Sequence, residues 1–142
     1  MSTGIAEPAD GRLRAALTAA LRARGSAAPL RRCRTGGRWD LLLCASAASL
    51  PPGSEARLLI VSADCAGAAA RRCRAGTVMT CGLDPRCTLT PSALLDDGLA
   101  ALRRELPLPD GRLLLPCETA LWPAGPAAHR LLMTAALLVL GA

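Results

Sequence analysis

This 142-residue chain has three side chains that can exchange protons and that lie at the ends of predicted strands or helices. They are Asp64, Asp84 and His129. Asp64 ends the apolar segment ARLLIVSAD, Asp84 comes shortly after TVMTC, and His129 is the only histidine. Side chains that follow parallel strands meet at one edge of a sheet, where ligands bind. The three residues therefore form a candidate acid-base site for a small enzyme. The competing interpretation is structural, since Asp64 could cap a helix and Asp84 could form an Asx turn before Pro85.

A loop from Cys81 to Ser92, CGLDPRCTLTPS, leaves the carboxyl end of a predicted strand and is the other candidate site. Arg86 offers a bidentate donor for an acidic group, and nearby hydroxyls offer further hydrogen bonds. Alternatively, Thr and Ser hydroxyls commonly satisfy the backbone of their own loop. The ligand or partner residues that we predict in this loop are Cys81, Gly82, Asp84, Arg86, Thr88, Thr90 and Ser92.

Seven cysteines stand at positions 33, 44, 65, 73, 81, 87 and 117. An odd number without a signal peptide argues against a disulfide framework, so we predict reduced thiols. Cys44 in WDLLLCAS and Cys81 in TVMTCG are interpreted as packing residues that behave like small apolar side chains. The closest pair, Cys81 and Cys87, is separated by five residues, which is wider than zinc ligands require. We therefore predict no metal site and no cofactor. A nucleophile is the alternative, with Cys73 or Cys87 beside Arg and His129 as the base.

The formal net charge is +6 at pH 7, from 17 basic and 11 acidic residues. Every basic residue is Arg, and the chain contains no Phe, Tyr, Asn or Gln. Nucleic-acid faces combine basic residues with rings that stack on bases or with amides that read them. We therefore do not expect a nucleic-acid partner, and we interpret the paired arginines as a solvated rim. These pairs are Arg31 with Arg32, Arg71 with Arg72, and Arg103 with Arg104.

Apolar patterning predicts alternating helices and strands. A first helix is expected within DGRLRAALTAALRARG, with Asp10 as its N-cap and Gly25 as its stop. Continuous apolar runs predict buried strands in WDLLLCAS, ARLLIVSAD and TVMTC. Between the last two, CAGAAARRCRAG predicts a short helix that ends in RRCR, followed by a turn at AG. This alternation is typical of a parallel sheet with crossover helices.

The C-terminal part has a different pattern. The turn signal PLPDG predicts an antiparallel hairpin between GLAALRREL and RLLLPCETALW, with Glu118 facing solvent or Arg. A helix over SALLDDGLAALRREL is the alternative, so residues 92–106 are open between strand and helix. A final helix is expected from near Ala127 to Leu140, capped by Gly141.

The predicted fold class is α/β: a small three-layer, Rossmann-like, mainly parallel sheet with a C-terminal β-hairpin and a terminal helix. We expect a single domain over residues 1–142, with residues 1–9 disordered. The longest apolar run, LLMTAALLVLGA, is shorter than the ~20 residues of a membrane span, and no signal peptide opens the chain. We therefore expect a cytoplasmic protein. The run LLMTAALLVL could either pack within its own fold or mediate self-association.

From LLIVSAD onward the order of elements resembles the latter half of the central domain of the Mur ligases, the ATP-dependent amino-acid ligases of peptidoglycan synthesis. The segments that carry this resemblance are LLIVSAD, TVMTCGL, the hairpin and GPAAHRLLMTAALLVLG, over about residues 57–142. The loop CGLDPRCTLTPS also resembles that of a group of small clostridial proteins. The resemblance implies a Rossmann-like scaffold and a link to cell-envelope synthesis.

The chain departs from the Mur ligase pattern at the residues that bind ATP. Those enzymes need a glycine-rich phosphate loop ending in Gly-Lys-Ser or Gly-Lys-Thr, and this chain has no lysine. Arg130 follows His129 where the family has Asn. We therefore expect a non-catalytic α/β domain with a binding or regulatory role and a protein partner. The alternative is a small enzyme or nucleotide-binding protein that uses Asp64, Asp84 and His129.

Overall fold

The computed structural model describes residues 1–92 and 98–141 as an eight-stranded sheet with helices against both of its faces. The helices are α1 (Arg12–Ala23), α2 (Ala66–Ala70) and α3 (Ala127–Leu140). The strands are β1 (Thr3–Ala6), β2 (Arg31–Arg32), β3 (Arg38–Cys44), β4 (Ser54–Ser62), β5 (Cys73–Cys81), β6 (Leu89–Pro91), β7 (Leu99–Leu102), β8 (Leu106–Pro107), β9 (Leu113–Leu114) and β10 (Cys117–Ala120).

The strand order is β10-β7-β6-β5-β4-β3-β1-β2, and β8 and β9 form a separate antiparallel hairpin. Strands β1 to β6 pair in parallel, whereas β7 and β10 pair antiparallel. This arrangement confirms the predicted α/β class, its mainly parallel sheet and its terminal helix. The chain runs from β1 to β2 on one side and then from β3 to β6 on the other. The order in which the chain adds strands to the sheet therefore reverses between β1 and β3, although the two strands are parallel. Ligands bind at such a point in open α/β sheets.

Both faces of the central strands are buried, as their continuous apolar runs predict. On one face, Leu41, Leu43 and Ile60 pack against α1 and α3. On the other, Leu42 and Val61 pack against Leu50 and α2. Because the core contains no Phe or Tyr, it is filled by Leu, Ile, Val, Ala, Met and Cys. The short α2 and a 3₁₀ turn at Ala47–Ser49 leave the second face with a thinner cover.

The prediction that residues 1–9 are disordered is wrong for Thr3–Ala6. These residues form β1, which lies inside the sheet between β3 and β2 and is buried along its length. The flanking strands β2 and β3 form backbone hydrogen bonds with the two edges of β1, so this short segment is ordered. Four residues are too few to show a strand periodicity in the sequence.

Two other boundaries differ from the prediction. Strand β5 begins at Cys73 and includes Ala75 and Gly76, which were predicted to lie in a turn after a helix. Its register with β4 runs from Ser54 opposite Cys73 to Ser62 opposite Cys81, and this long pairing stops α2 after one turn. Strand β6 also occupies part of the segment that we predicted to be a loop.

The hairpin and the terminal helix agree with the sequence pattern. Strands β7 and β10 pair antiparallel, and the PLPDG turn lies between β8 and β9. Glu118 is exposed on β10, as expected. Within the open segment 92–106, residues 99–102 are strand, and residues 93–97 lie outside the described residues. Helix α3 ends at Leu140 with Gly141 as its C-cap, and it buries residues 131–137 in its own fold, so self-association through an exposed apolar α3 is not supported.

The indole ring of Trp39 lies flat over Gly4 of β1. A Cβ atom at position 4 would stand 2.7–2.8 Å from three atoms of the ring. We predict that Gly4→Ala lowers the free energy of unfolding by about 1–3 kcal/mol, because the added methyl group displaces the ring. The measurement is urea unfolding followed by circular dichroism.

Gly37→Ala is the control for this prediction, because a Cβ at position 37 meets nothing within 4 Å. In a Trp39→Leu background the cost of Gly4→Ala should fall, since the rigid ring is gone. Equal unfolding free energies for Gly4→Ala and Gly37→Ala would show that the ring does not restrict position 4.

Candidate functional site

The structure buries much of the predicted loop from Cys81 to Ser92. Cys81, Thr88 and Thr90 are buried, and Gly82 and Ser92 are partly buried. The backbone N–H of Thr80 donates to the Thr88 hydroxyl at 3.2 Å, and the N–H of Thr88 donates to the Thr80 hydroxyl at 3.1 Å. These reciprocal bonds join β5 to the start of β6. The hydroxyl of Thr88 therefore satisfies the local backbone, as the structural interpretation expects. The buried hydroxyl oxygens of Thr90 and Ser92, by contrast, have no hydrogen-bond partner among the described residues.

Asp84 and Arg86 form the exposed part of the same loop. The carboxylate of Asp84 accepts the backbone N–H of Arg86 at 2.8 Å, which is the predicted Asx turn. It also accepts the Arg86 guanidinium at 3.3 and 3.0 Å, and these bonds hold the pKa of Asp84 below its usual value. Because Asp84 and Arg86 neutralise each other, neither is an unpaired charge for a ligand.

The structure places Asp64, Asp84 and His129 in three different parts of the fold, a 3₁₀ turn after β4, the loop after β5 and the start of α3. Asp64 is exposed in a 3₁₀ turn, Ala63–Cys65, that follows β4, and its side chain caps no helix. His129 lies in the first turn of α3, where its ring packs beside Gly125. None of the clefts described below is lined by any of the three residues.

The buried carboxylate nearest to the reversal of strand order is Glu7, the residue after β1. Only 4% of its surface is exposed. It accepts the backbone N–H of Leu13 at 3.0 Å and that of Arg14 at 2.8 Å. These two N–H groups belong to the first turn of α1, so Glu7 caps this helix from outside it.

This cap corrects the assignment of Asp10. The residue before α1 is Gly11, which has a φ of 62° and no side chain to accept a hydrogen bond. Asp10 instead forms an exposed ion pair with Arg12 at 3.2 Å. The left-handed Gly11 turns the chain so that Glu7, rather than the nearer acid, reaches the helix N-terminus.

Two adjoining clefts surround Glu7 at the carboxyl ends of β1 and β2. The first, of about 460 Å³, runs along α1 between Arg14, Arg22 and Arg32. The second, of about 310 Å³, continues past Arg34 to Ser49. They share Glu7, Ala9 and Arg32 and therefore form one continuous groove. We call it the arginine groove, defined by Arg14, Arg22, Arg32 and Arg34.

The four arginines of this groove carry charge without neutralisation. Across the described residues, ion pairs are formed by Arg12, Arg38, Arg57, Arg86 and Arg112, and none involves the groove arginines. The carboxylate of Glu7 lies in the same groove, but both of its oxygens accept backbone N–H groups. The groove therefore presents an excess of positive charge at the edge where α/β sheets bind ligands.

Two other clefts lack this excess of charge. The larger, of about 670 Å³, lies at the opposite edge, around the amino ends of β3, β4 and β5. Its charges are largely paired within it, Arg38 with Glu55 at 3.1 Å and Arg57 with Asp40 at 3.6 Å. The other, of about 490 Å³, lies between β10 and α3 and is lined by Trp122, Leu137 and Leu138.

A further cleft, of about 470 Å³, is lined by Arg71, Arg72 and Arg74, which also form no ion pair among the described residues, but it lies at the amino ends of β4 and β5. The arginine groove combines unpaired charge with a position beside the carboxyl end of β1, and we therefore favour it as the candidate site.

Four buried thiols have raised pKa values. Burial raises the pKa of Cys33, which borders the arginine groove, and raises the pKa of Cys44 to about 12. It also raises the pKa values of Cys73 and Cys81. A thiol with a raised pKa is a poor nucleophile at neutral pH. The burial of Cys44 and Cys81 confirms their interpretation as packing residues.

No group of three His, Cys, Asp or Glu residues among those described could hold a metal ion. No described helix combines the length and the apolar character needed to cross a bilayer. The comparisons with known proteins gave no significant match to a family model, a curated protein or a solved structure.

The sequence reasoning missed the residues of this site, although some signals were present. Arg31 and Arg32 were noticed as a pair but interpreted as a solvated rim, and Glu7 was placed in a disordered segment. The spacing of Arg14, Thr18 and Arg22 at i, i+4 and i+8 predicts that they share one face of α1. What the sequence could not show was that β1 places Glu7 and Arg32 beside that face.

We predict that Glu7→Ala lowers the free energy of unfolding by about 2–4 kcal/mol, since it leaves two helix N–H groups without their buried partner. Glu7→Gln should lose about half as much, because the amide keeps one acceptor oxygen. Urea unfolding measures both. Glu118→Ala, at an exposed acid, is the control and should change stability by less than about 0.5 kcal/mol. A Glu7→Ala protein as stable as Glu118→Ala would rule out this cap.

We also predict that iodoacetamide at pH 8 modifies Cys117 at least tenfold faster than Cys44 or Cys81. Cys117 is exposed, whereas the other two are buried and have raised pKa values, so little of either is thiolate at that pH. Peptide mass spectrometry after short exposures gives the rates, with urea-unfolded protein and Cys117→Ser as controls. Equally fast modification of Cys81 would contradict the described packing.

Proposed function

We propose that this chain is a non-catalytic α/β domain with a binding or regulatory role, and that it binds a phosphate-bearing anion in the arginine groove. The observation that carries the proposal is the set of four arginines that line the groove beside β1 and α1 and form no ion pair among the described residues. Arginine matches phosphate oxygens with two parallel N–H donors, which makes it well suited to this class of ligand.

The non-catalytic assignment is supported by the chemistry of the groove. Both oxygens of Glu7 are hydrogen-bonded to the start of α1, so this carboxylate is poorly placed to move a proton. The thiol of Cys33 has a raised pKa, and the candidate acid-base residues Asp64 and His129 line neither part of the groove. The groove therefore combines positive charge with no general acid or base in a reactive position.

The resemblance to the Mur ligase central domain suggests where such an anion would come from. A uridine diphosphate sugar is a phosphate-bearing precursor of the cell envelope, and binding one would connect this domain with that process. In this proposal the exposed tip of the loop from Cys81 to Ser92 remains available for a protein partner. Leu83 at this tip is 69% exposed and stands beside the Asp84–Arg86 pair.

We predict that ATP and a uridine diphosphate sugar raise the melting temperature at low ionic strength and that added salt reduces the effect. Arg32→Gln should weaken the ATP affinity about tenfold, as expected for the loss of one charge-assisted contact. Arg71→Gln, an exposed site outside the groove, should change it less than twofold. Isothermal titration calorimetry provides the affinities.

The same titration distinguishes the groove from the loop. Arg71→Gln and Arg32→Gln remove the same charge. Equal losses of ATP affinity would therefore mean that this affinity depends only on net charge, and the proposed site would be wrong. A loss confined to Arg86→Gln would move the site to the loop from Cys81 to Ser92.

A further inference from the structure

We infer that the arginine groove recognises the oligophosphate chain of its ligand, whether free or carried by a nucleoside, and does not read the base. This inference rests on the proposed function and specifies the ligand chemistry of the same site. It follows from three features of the groove: its length, its lack of base-reading side chains and the occupation of the helix N-terminus by Glu7.

The groove is long enough for more than one phosphate. Arg14 and Arg22 lie two turns apart on the same face of α1, a separation of about 12 Å at 1.5 Å per residue. Thr18 stands between them, and the small side chains of Ala15 and Ala19 leave the surface open. A linear ligand can therefore lie along α1 with a guanidinium group near each end.

Arg32 and Arg34 extend this row of charges. Arg32 is half-buried and belongs to both clefts, and Arg34 is exposed and lines only the second. Successive guanidinium groups along one groove complement the successive negative charges of a phosphate chain. A single phosphate engages only part of this row.

The described residues of the groove offer neither an aromatic ring nor an amide side chain to a base. The only aromatic residues of the chain are Trp39 and Trp122, and each lines a different cleft. Asn and Gln, which read base edges through their amides, are absent from the sequence. Stacking on an aromatic side chain contributes about 1–3 kcal/mol per base where it occurs, and this contribution is missing here.

Glu7 also removes the usual site for a single tightly held phosphate. A phosphate at a helix N-terminus accepts the backbone N–H groups of the first turn. In α1 the N–H groups of Leu13 and Arg14 already donate to Glu7. The phosphates must therefore be held by arginine side chains along the groove, so affinity grows with the number of phosphates.

The test is isothermal titration calorimetry of the full chain with sodium tripolyphosphate, ATP, AMP and adenosine, in low salt without divalent cations. We expect the dissociation constants of tripolyphosphate and ATP to agree within threefold, AMP to bind at least tenfold more weakly and adenosine not to bind. Arg22→Gln should weaken the binding of tripolyphosphate about tenfold and the binding of AMP less than twofold, because one phosphate does not span the groove. Arg71→Gln is the charge-matched control.

The outcomes separate this inference from the proposed function. If ATP bound at least tenfold more tightly than tripolyphosphate, the inference would be wrong, because the protein would then recognise the nucleoside. The proposed binding of an anion would still stand. Tighter binding of a short single-stranded oligonucleotide with the same charge would overturn it in favour of nucleic acid. If none of these ligands bound, or if Arg22→Gln and Arg71→Gln were equivalent, the proposed function itself would fail.

Discussion

The hydrogen bonds from the first turn of α1 to Glu7 connect the elements on which the site depends. Glu7 follows the last residue of β1, so its carboxylate fixes the start of α1 against the end of that strand. This sets the direction of α1 across the sheet and the position of Arg14, Thr18 and Arg22. The buried charge is acceptable because backbone N–H groups at a helix N-terminus satisfy both of its oxygens.

Much of the fold could be predicted because the strongest signals in the sequence are those of elements with both faces buried. The runs WDLLLCAS and ARLLIVSAD became β3 and β4, and the terminal helix kept its predicted bounds. The failures were short elements whose structure is decided by their neighbours. Thr3–Ala6 is ordered by β3 and β2, and Cys73–Gly76 is drawn into β5 by pairing with β4. Local propensity does not contain that information.

The candidate site was less predictable because it is made by topology. Sequence reasoning places the candidate sites at the carboxyl edge of a parallel sheet and offers an Asx turn at Asp84, and the structure confirms the turn. It chose the loop after β5, whereas the strand order reverses beside β1, a strand that the sequence did not reveal. Glu7 and Arg32 are separated by a whole helix along the chain and become neighbours only when β1 and β2 pair.

The way in which α1 is capped decides what kind of anion site this edge can form. A glycine-rich phosphate loop leaves helix N–H groups unoccupied, so that a ligand completes their hydrogen bonding in a fixed geometry. Here the protein supplies the anion itself, through Glu7, and what remains for a ligand is a row of long guanidinium side chains. Such groups adapt to several phosphate positions but lose rotamer entropy when they bind. A site built in this way favours an extended, highly charged ligand over a single phosphate held for chemistry, which agrees with a binding role at this edge of the sheet.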